Sequence, residues 1–86
     1  MASVEVYTAE EILVAAFEPM GMEPEYRRGE LYRLGDMKIE YMSNRIYKVG
    51  GMRVQYQSDR LYKVGNMKVE YRSNRPYKLG DIRLDF

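Results

Sequence analysis

The sequence contains no cysteine and no histidine among its 86 residues. Without cysteine the chain forms no disulfide bond and offers neither a thiol nucleophile nor a thiolate metal ligand. Without histidine it lacks the usual general base at neutral pH and a common ligand for transition metals. We therefore expect a protein that is not an enzyme and that has no metal, no other cofactor and no small-molecule substrate.

Long apolar runs are absent too. A membrane-spanning helix needs about 18 or more consecutive apolar residues, and no stretch of this chain approaches that length. The N-terminus lacks the pattern of a secretory signal peptide, and the glycines form neither GxGxxG nor a Walker motif. We expect a soluble, cytoplasmic protein without a membrane partner and without a phosphate-binding loop.

Charge is divided unevenly along the chain, although the formal net charge is only +1. Residues 1–30 contain two basic and seven acidic side chains, whereas residues 31–86 contain twelve basic and six acidic ones. Such an asymmetry is typical of chains that bind a polyanion or dock one half on the other. The length predicts a single domain, 1–86.

What the sequence does contain is a 15-residue repeat that begins at Leu31. Its units read LYRLGDMKIEYMSNR, IYKVGGMRVQYQSDR, LYKVGNMKVEYRSNR and PYKLGDIRLDF. Tyrosine, glycine and methionine each recur at a fixed place in the unit, which indicates a repeat architecture. A degenerate half-unit in the junction 19–30 places Pro24 where only an edge strand accepts proline. We therefore assign 31–86 to hairpin repeats.

Each unit is predicted to form two short strands. Met37, Ile39 and Tyr41 alternate with charged residues, and a period of two is typical of a half-buried strand. A glycine followed by Asp, Gly or Asn joins successive apolar runs, which favours a type II′ hairpin turn and sets Leu34 opposite Met37. The predicted fold is therefore mainly β (α+β), with an antiparallel meander of eight or nine short strands.

A second turn in each unit leaves two pairings open. A three-residue loop at 42–44, with Asn44 in the left-handed conformation, gives no net stagger and one unbroken row of cations. A loop at 43–45 instead sets Glu40 beside Lys48, and its stagger is the kind that a small closed barrel needs. We favour the first pairing because Asn and Asp tolerate the left-handed backbone.

Residues 8–18 predict one short N-terminal helix. Thr8 and Glu11 have the spacing of a capping box, apolar residues follow at helical intervals, and Pro19 and Gly21 end the pattern. Residues 1–7 alternate once and are interpreted as either an added strand or a loose arm.

The alternation predicts that tyrosine, methionine and aliphatic side chains share one face of the sheet. A ten-residue helix is about 15 Å long and eight strands are about 38 Å wide, so the helix can cover only a fraction of this face. Either the sheet curls on itself or the face meets another copy, and we expect the second because the favoured register makes closure difficult. An uncovered apolar face of that size is unusual in a soluble monomer. Our first hypothesis is therefore a self-assembly or protein-interaction module, with a homo-oligomer or a protein partner held by Tyr32, Met37, Tyr41, Tyr47, Met52, Tyr56, Tyr62, Met67, Tyr71 and Tyr77.

The opposite face is predicted to carry the basic side chains, which can follow a phosphate backbone. The alternative hypothesis is therefore a polyanion-binding protein, with nucleic acid as a partner of Lys48, Arg53, Lys63, Lys68, Lys78 and Arg83. The pattern puts the tyrosines on the other face, which weakens this alternative because base-stacking proteins place aromatic rings beside basic groups. We also expect cation–π contacts within each unit, of Arg45 on Tyr41, Arg60 on Tyr56 and Arg75 on Tyr71.

The element YQSDRLY at 56–62 resembles the tyrosine-rich tandem hairpin repeats of bacterial proteins, of which the YD-type (Rhs) repeats are the best known. The resemblance covers 22–86. Here Met, Gln or Arg follows the tyrosine in place of Asp, and the period of 15 is shorter. The resemblance implies a repetitive β scaffold and implies no activity.

Overall fold

The computed structural model describes residues 7–85, and within this range the fold is mainly β. One helix, α1 (Ala9–Phe17), and a 3₁₀ turn at Glu18–Met20 precede nine strands. The strands are β1 (Pro24–Arg27), β2 (Glu30–Leu34), β3 (Met37–Met42), β4 (Arg45–Val49), β5 (Met52–Gln57), β6 (Arg60–Val64), β7 (Met67–Arg72), β8 (Arg75–Leu79) and β9 (Ile82–Arg83). They pair in chain order as an open antiparallel meander, which confirms the predicted fold. The interpretation of 1–7 lies, apart from Tyr7, outside the described residues.

The predicted capping box begins α1. The Thr8 hydroxyl accepts a hydrogen bond from the Glu11 amide at 3.1 Å, and the Glu11 carboxylate accepts one from the Thr8 amide at 2.9 Å. Gly21, with φ of 91°, follows the 3₁₀ turn and leads the chain into β1. The helix contacts β2, and its buried side chains are Ile12, Leu13, Ala16 and Phe17.

Glycine turns join each hairpin to the next. Those at Gly35, Gly65 and Gly80 have positive φ at the first position alone, as predicted, whereas Gly50 and Gly51 both have positive φ, as in a type I′ turn. Gly35 has φ of 61°, as the first position of a type II′ turn requires, and Leu34 lies opposite Met37. Each glycine turn also contacts the preceding unit. The Gly50 amide donates to the Lys38 carbonyl at 2.8 Å, and a Cβ added to Gly50 would lie 2.9 Å from the Met37 side chain.

The second turn of each unit differs from both predicted loops. Ser43 and Asn44 alone form the first such loop, with φ of 53° and 64°, and two positive φ values are those of a type I′ turn. Beyond the loop, the ladder sets Glu40 opposite Lys48. The register that we favoured, with its loop at 42–44, is therefore wrong. The alternative pairing is present, but without its three-residue loop.

A β-bulge reconciles the two-residue loop with this pairing. The ladder pairs Tyr41 with Ile46 near the loop and Ile39 with Val49 beyond it, so the register skips Tyr47. The extra residue shifts the alternation by one position, and Ile46 and Val49 are both buried although they are three residues apart. The equivalent bulges skip Tyr32, Tyr62 and Tyr77. They bring into the core a column that the period of two did not assign to it, Leu31, Ile46, Leu61 and Pro76.

The apolar face is buried within a single chain, which contradicts the expectation that most of it stays uncovered. Val54, Val64 and Val69 are at most 6% exposed. Bulges increase strand twist, and the described residues form a body of 37 × 28 × 21 Å. Within residues 7–85, the large apolar side chains that remain exposed are Met20, Tyr26 and Met42.

Candidate anion-binding face

Two columns of tyrosine lie on different sides of the sheet. We call Tyr41, Tyr56 and Tyr71 the inner tyrosines, because they pack against the apolar core. Each of their hydroxyl groups donates a hydrogen bond to a backbone carbonyl ten residues earlier in the chain, at 2.6–2.7 Å, and the acceptors are Leu31, Ile46 and Leu61. The inner tyrosines therefore tie successive hairpins together.

Burial raises the pKa of the inner tyrosines. The pKa of Tyr41 rises to about 12, chiefly because the phenolate would be desolvated and secondly because the carboxylates of Glu10 and Glu30 oppose a further negative charge. Desolvation also raises the pKa of the other two inner tyrosines, and a nearby arginine partly offsets the rise. All three therefore remain neutral hydrogen-bond donors at physiological pH.

The outer tyrosines, which we define as Tyr32, Tyr47, Tyr62 and Tyr77, lie on the charged face. Hydroxyl groups of this column reach carboxylates, in the contacts Tyr47 to Glu40 at 3.5 Å and Tyr77 to Glu70 at 3.1 Å. A basic group lies over the ring of three of these tyrosines. The distances from the charged group to the ring centroid are 4.0 Å for Arg27 over Tyr32, 5.8 Å for Lys68 over Tyr62 and 4.7 Å for Arg72 over Tyr77. Their predicted place on the apolar face is wrong because each is the extra residue of a bulge.

The predicted interaction face therefore does not form one surface. Its methionines, Met37, Met52 and Met67, are partly buried against the core and lie beside the glycine turn of the following unit. The inner tyrosines are also partly buried against the core, whereas the outer tyrosines face the charged side. The ten predicted residues are thus divided between two sides of the sheet.

The predicted anion-binding residues do lie together. The ladder sets cations directly opposite each other, in the pairs Arg33 with Lys38, Lys48 with Arg53, Lys63 with Lys68 and Lys78 with Arg83. We call these side chains the cationic row. Like charges directly opposite each other destabilise a sheet by part of roughly 0.2–1 kcal/mol per pair. The fold therefore carries four unfavourable pairs on one face.

Carboxylates interrupt the cationic row, so the predicted unbroken row is wrong. A glutamate lies opposite the lysine of β4 and of β8, in the pairs Glu40 with Lys48 and Glu70 with Lys78. In the middle unit the equivalent residue is Gln55, which lies opposite Lys63. Lys63 thus has an uncharged amide on one side and the cation of Lys68 on the other. Positive charge is least compensated at this central position.

Another set of arginines covers the inner tyrosines. The guanidinium of Arg45 lies 4.2 Å from the ring centroid of Tyr56, and that of Arg60 lies 4.0 Å from that of Tyr71. Each arginine therefore contacts the tyrosine of the following unit, and the expectation of contacts within one unit is wrong. Arg45 also forms a salt bridge of 3.3 Å with Asp59 of the next turn. These arginines connect successive hairpins.

Clefts open where neighbouring hairpins diverge. The ladder between β6 and β7 consists of two pairs next to the glycine turn, whereas the ladder within the β5–β6 hairpin has four. Beyond its two pairs, a cleft of about 680 Å³ lies beside Tyr62, and its lining includes Gln57, Leu61, Tyr62, Lys68, Val69 and Glu70. Equivalent clefts lie beside Tyr32, with about 340 Å³, and beside Tyr77, with about 510 Å³.

The charged face carries ammonium, guanidinium and carboxylate groups beside the outer tyrosines. Within residues 7–85, no group of three or more His, Cys, Asp or Glu side chains could hold a metal ion. In the same part of the chain, no helix combines the length and the apolar character that crossing a membrane requires. The face combines ammonium and guanidinium groups with tyrosine rings, so it can bind anions and stack flat ligands.

Sequence reasoning missed Tyr62 as a member of the charged face. A signal was present, because the apolar residues Leu61 and Val64 are three positions apart. Strict alternation cannot bring both to one face, and a bulge can.

No family model, no curated protein and no solved structure matches the chain. Function is therefore inferred from the geometry of the charged face alone.

Proposed function

We propose that this protein is a non-catalytic binding module that holds a polyanion on its charged face. The observation that carries the proposal is the cationic row, in which four pairs of like charges lie directly opposite each other. Such pairs oppose folding, and phosphate groups bound along the row would relieve their repulsion. A surface that served only to keep the protein in solution would be more stable with alternating charges.

The outer tyrosines strengthen the proposal. Their predicted place on the far side of the sheet was the main argument against polyanion binding. They lie among the cations instead, and the amine of Lys68 is 5.8 Å from the ring centroid of Tyr62. Proteins that bind single-stranded nucleic acid combine basic grooves with aromatic rings in this way.

The hypothesis of self-association or of a protein partner loses its premise. It relied on an uncovered apolar face, and the aliphatic side chains of that face are buried within one chain. We therefore prefer the polyanion hypothesis, in which the exposed cations and the outer tyrosines have a role.

The salt dependence of binding tests the proposal. For a single strand, the logarithm of the binding constant falls by about 0.7 per phosphate contact for each tenfold rise in salt concentration. If a labelled oligothymidylate contacts about four basic groups, its affinity should therefore fall roughly 50-fold between about 50 and 200 mM salt. Fluorescence anisotropy measures this change. An absence of binding even at low salt would contradict the proposal.

Two variants with the same loss of charge separate the cationic row from bulk charge. Lys63→Gln removes the least compensated cation, whereas Arg28→Asn removes a cation from the first turn and keeps a residue that tolerates φ of 55°. We expect Lys63→Gln to lower the salt slope by about 0.7 and Arg28→Asn to leave it unchanged. Equal effects of the two changes would contradict binding at the row.

A further inference from the structure

We infer that the polyanion is a single-stranded nucleic acid and that the cleft beside Tyr62 receives one of its bases. This inference rests on the proposed binding of a polyanion and adds the class of ligand. The observation behind it is that the cleft beside Tyr62 differs from the equivalent clefts beside Tyr32 and Tyr77.

The cleft beside Tyr62 differs from the other two in its volume and in what lies over its tyrosine ring. In the other two clefts an arginine guanidinium lies over the tyrosine, with Arg27 at 4.0 Å from the Tyr32 centroid and Arg72 at 4.7 Å from that of Tyr77. In the cleft beside Tyr62, the residue equivalent in the repeat to Arg27 and Arg72 is Gln57. The cation over this ring is the Lys68 amine, at 5.8 Å from the centroid. The cleft volume is also larger, about 680 Å³ against about 340 and 510 Å³.

The lining of this cleft suits a flat heterocycle. Leu61 and Val69 are buried and provide an apolar floor, and the ring of Tyr62 provides a face for stacking. Gln57 and Glu70 carry the amide and carboxylate groups that pair with the edges of bases. One Glu70 oxygen, Oε1, accepts the Tyr77 hydroxyl at 3.1 Å, and we assign the other oxygen to the base. The volume is in the range of small-molecule sites, about 300–1,000 Å³.

Cations lie where the phosphate of the same nucleotide would be. Lys68 lines the cleft and lies opposite Lys63 in the ladder. One nucleotide can therefore place its base on Tyr62 and its phosphate at this pair. A duplex keeps its bases stacked and paired, whereas the bases of a single strand are free to enter. The repeat continues the cationic row into the neighbouring units, so the strand can extend across them.

Matched oligonucleotides with and without bases test the inference. The ligands are a labelled oligothymidylate, an abasic strand with the same number of phosphates, a duplex of the same length and polyglutamate. At low salt we expect the unmodified protein to bind the oligothymidylate about 10-fold more tightly than the abasic strand, which is the expected effect of one stacked base. We expect the duplex and polyglutamate to bind no more tightly than the abasic strand.

Two variants of the cleft sharpen the test. Tyr62→Leu removes the stacking ring and should abolish the preference for bases without changing the affinity for the abasic strand. Gln57→Arg supplies the arginine that covers the ring of Tyr32 and of Tyr77. We expect it to reduce the preference for bases although it adds a positive charge. Circular dichroism checks the folding of both variants, and Gln57→Arg carries the test if Tyr62→Leu does not fold.

The outcomes separate this inference from the proposed function. Equal, salt-sensitive binding of the abasic strand and the oligothymidylate would overturn base insertion and leave polyanion binding intact. Tighter binding of the duplex or of polyglutamate than of the oligothymidylate would overturn the assignment to single strands. A Gln57→Arg variant that gained affinity for both strands equally would also overturn it. An absence of binding to every ligand at low salt would overturn the proposed function itself.

Discussion

The inner and outer tyrosines of one hairpin are six residues apart in the chain, yet they have different roles. Tyr56 packs against the core and donates a hydrogen bond to the carbonyl of Ile46 in the preceding hairpin. Tyr62 lies on the opposite face beside an ammonium group. One extra residue per hairpin causes this difference, because the bulge ends the alternation that would have placed both on one side. The position relative to the bulge, and not the residue type, decides whether a tyrosine stabilises the fold or is available to a ligand.

The largest expected effect is a difference in the free energy of unfolding between substitutions at Leu61 and at its neighbour Tyr62. The bulge turns Leu61 into the core, where it is 1% exposed, and Leu61→Ala should therefore lower the free energy of unfolding by about 2–5 kcal/mol. Tyr62→Leu, on the charged face, should cost about 1 kcal/mol or less. Urea unfolding measures both. A larger loss for Tyr62→Leu than for Leu61→Ala would contradict the bulge.

Alkali should destabilise the fold through the inner tyrosines. Tyrosine in the unfolded chain has a pKa near 10.0, whereas the pKa of Tyr41 in the folded protein is about 12. The stabilisation by neutral Tyr41 is therefore fully present below about pH 10 and is lost as the pH rises from about 10 to about 12. Thermal unfolding between pH 8 and pH 12 measures the loss, and the Tyr41→Phe variant should show a shallower decline. An identical decline in both proteins would exclude Tyr41 as its source.

A smaller effect compares the hydroxyl groups of the two columns. Tyr71→Phe leaves the Leu61 carbonyl without its 2.6 Å hydrogen bond, so we expect a loss of about 0.5–1.5 kcal/mol in the free energy of unfolding. Tyr62→Phe removes a hydroxyl on the charged face and should change stability by less than about 0.5 kcal/mol. Equal losses in the two variants would show that the columns do not differ in structural role.

The smallest effect should have the opposite sign. Lys63→Gln removes one of the directly opposed cation pairs, so we expect it to stabilise the fold by a few tenths of a kcal/mol, at the cost of the weaker polyanion binding expected above. A stabilised protein with unchanged binding would mean that the pair has no function. A destabilised protein would mean that the like charges are not in effective contact.

Local patterns predicted much of this fold. The capping box at Thr8, the alternation in β3 and the type II′ turn at Gly35 depend on residues close together in the chain, and the structure has all three. The second turn was not predicted, because Ser43 adopts a left-handed backbone that serine rarely takes. That one residue shortens the loop and requires the bulge beyond it.

The consequences of the bulge spread further than the turn. The pairing between β3 and β4 changes along its length, the outer tyrosines change sides and the apolar side chains are buried. The cationic side chains were assigned to the correct face because they lie on the other side of the bulge, next to the glycine turns. How much of the apolar face is buried depends on the summed twist of all the hairpins, and the alternation of apolar and polar residues does not reveal that twist.

The ring resonances of the tyrosines test the central claim most directly. With tyrosine labelled selectively, nuclear magnetic resonance can follow all nine rings during a titration with an oligothymidylate at low salt. We expect the signal of Tyr62 to shift most and those of the other outer tyrosines and of Tyr71, which lines the same cleft, to shift less. The inner tyrosine Tyr56 lines none of the three clefts and should stay unchanged. Shifts confined to the inner tyrosines, or no shift at any ring, would contradict an anion-binding face built around the outer tyrosines.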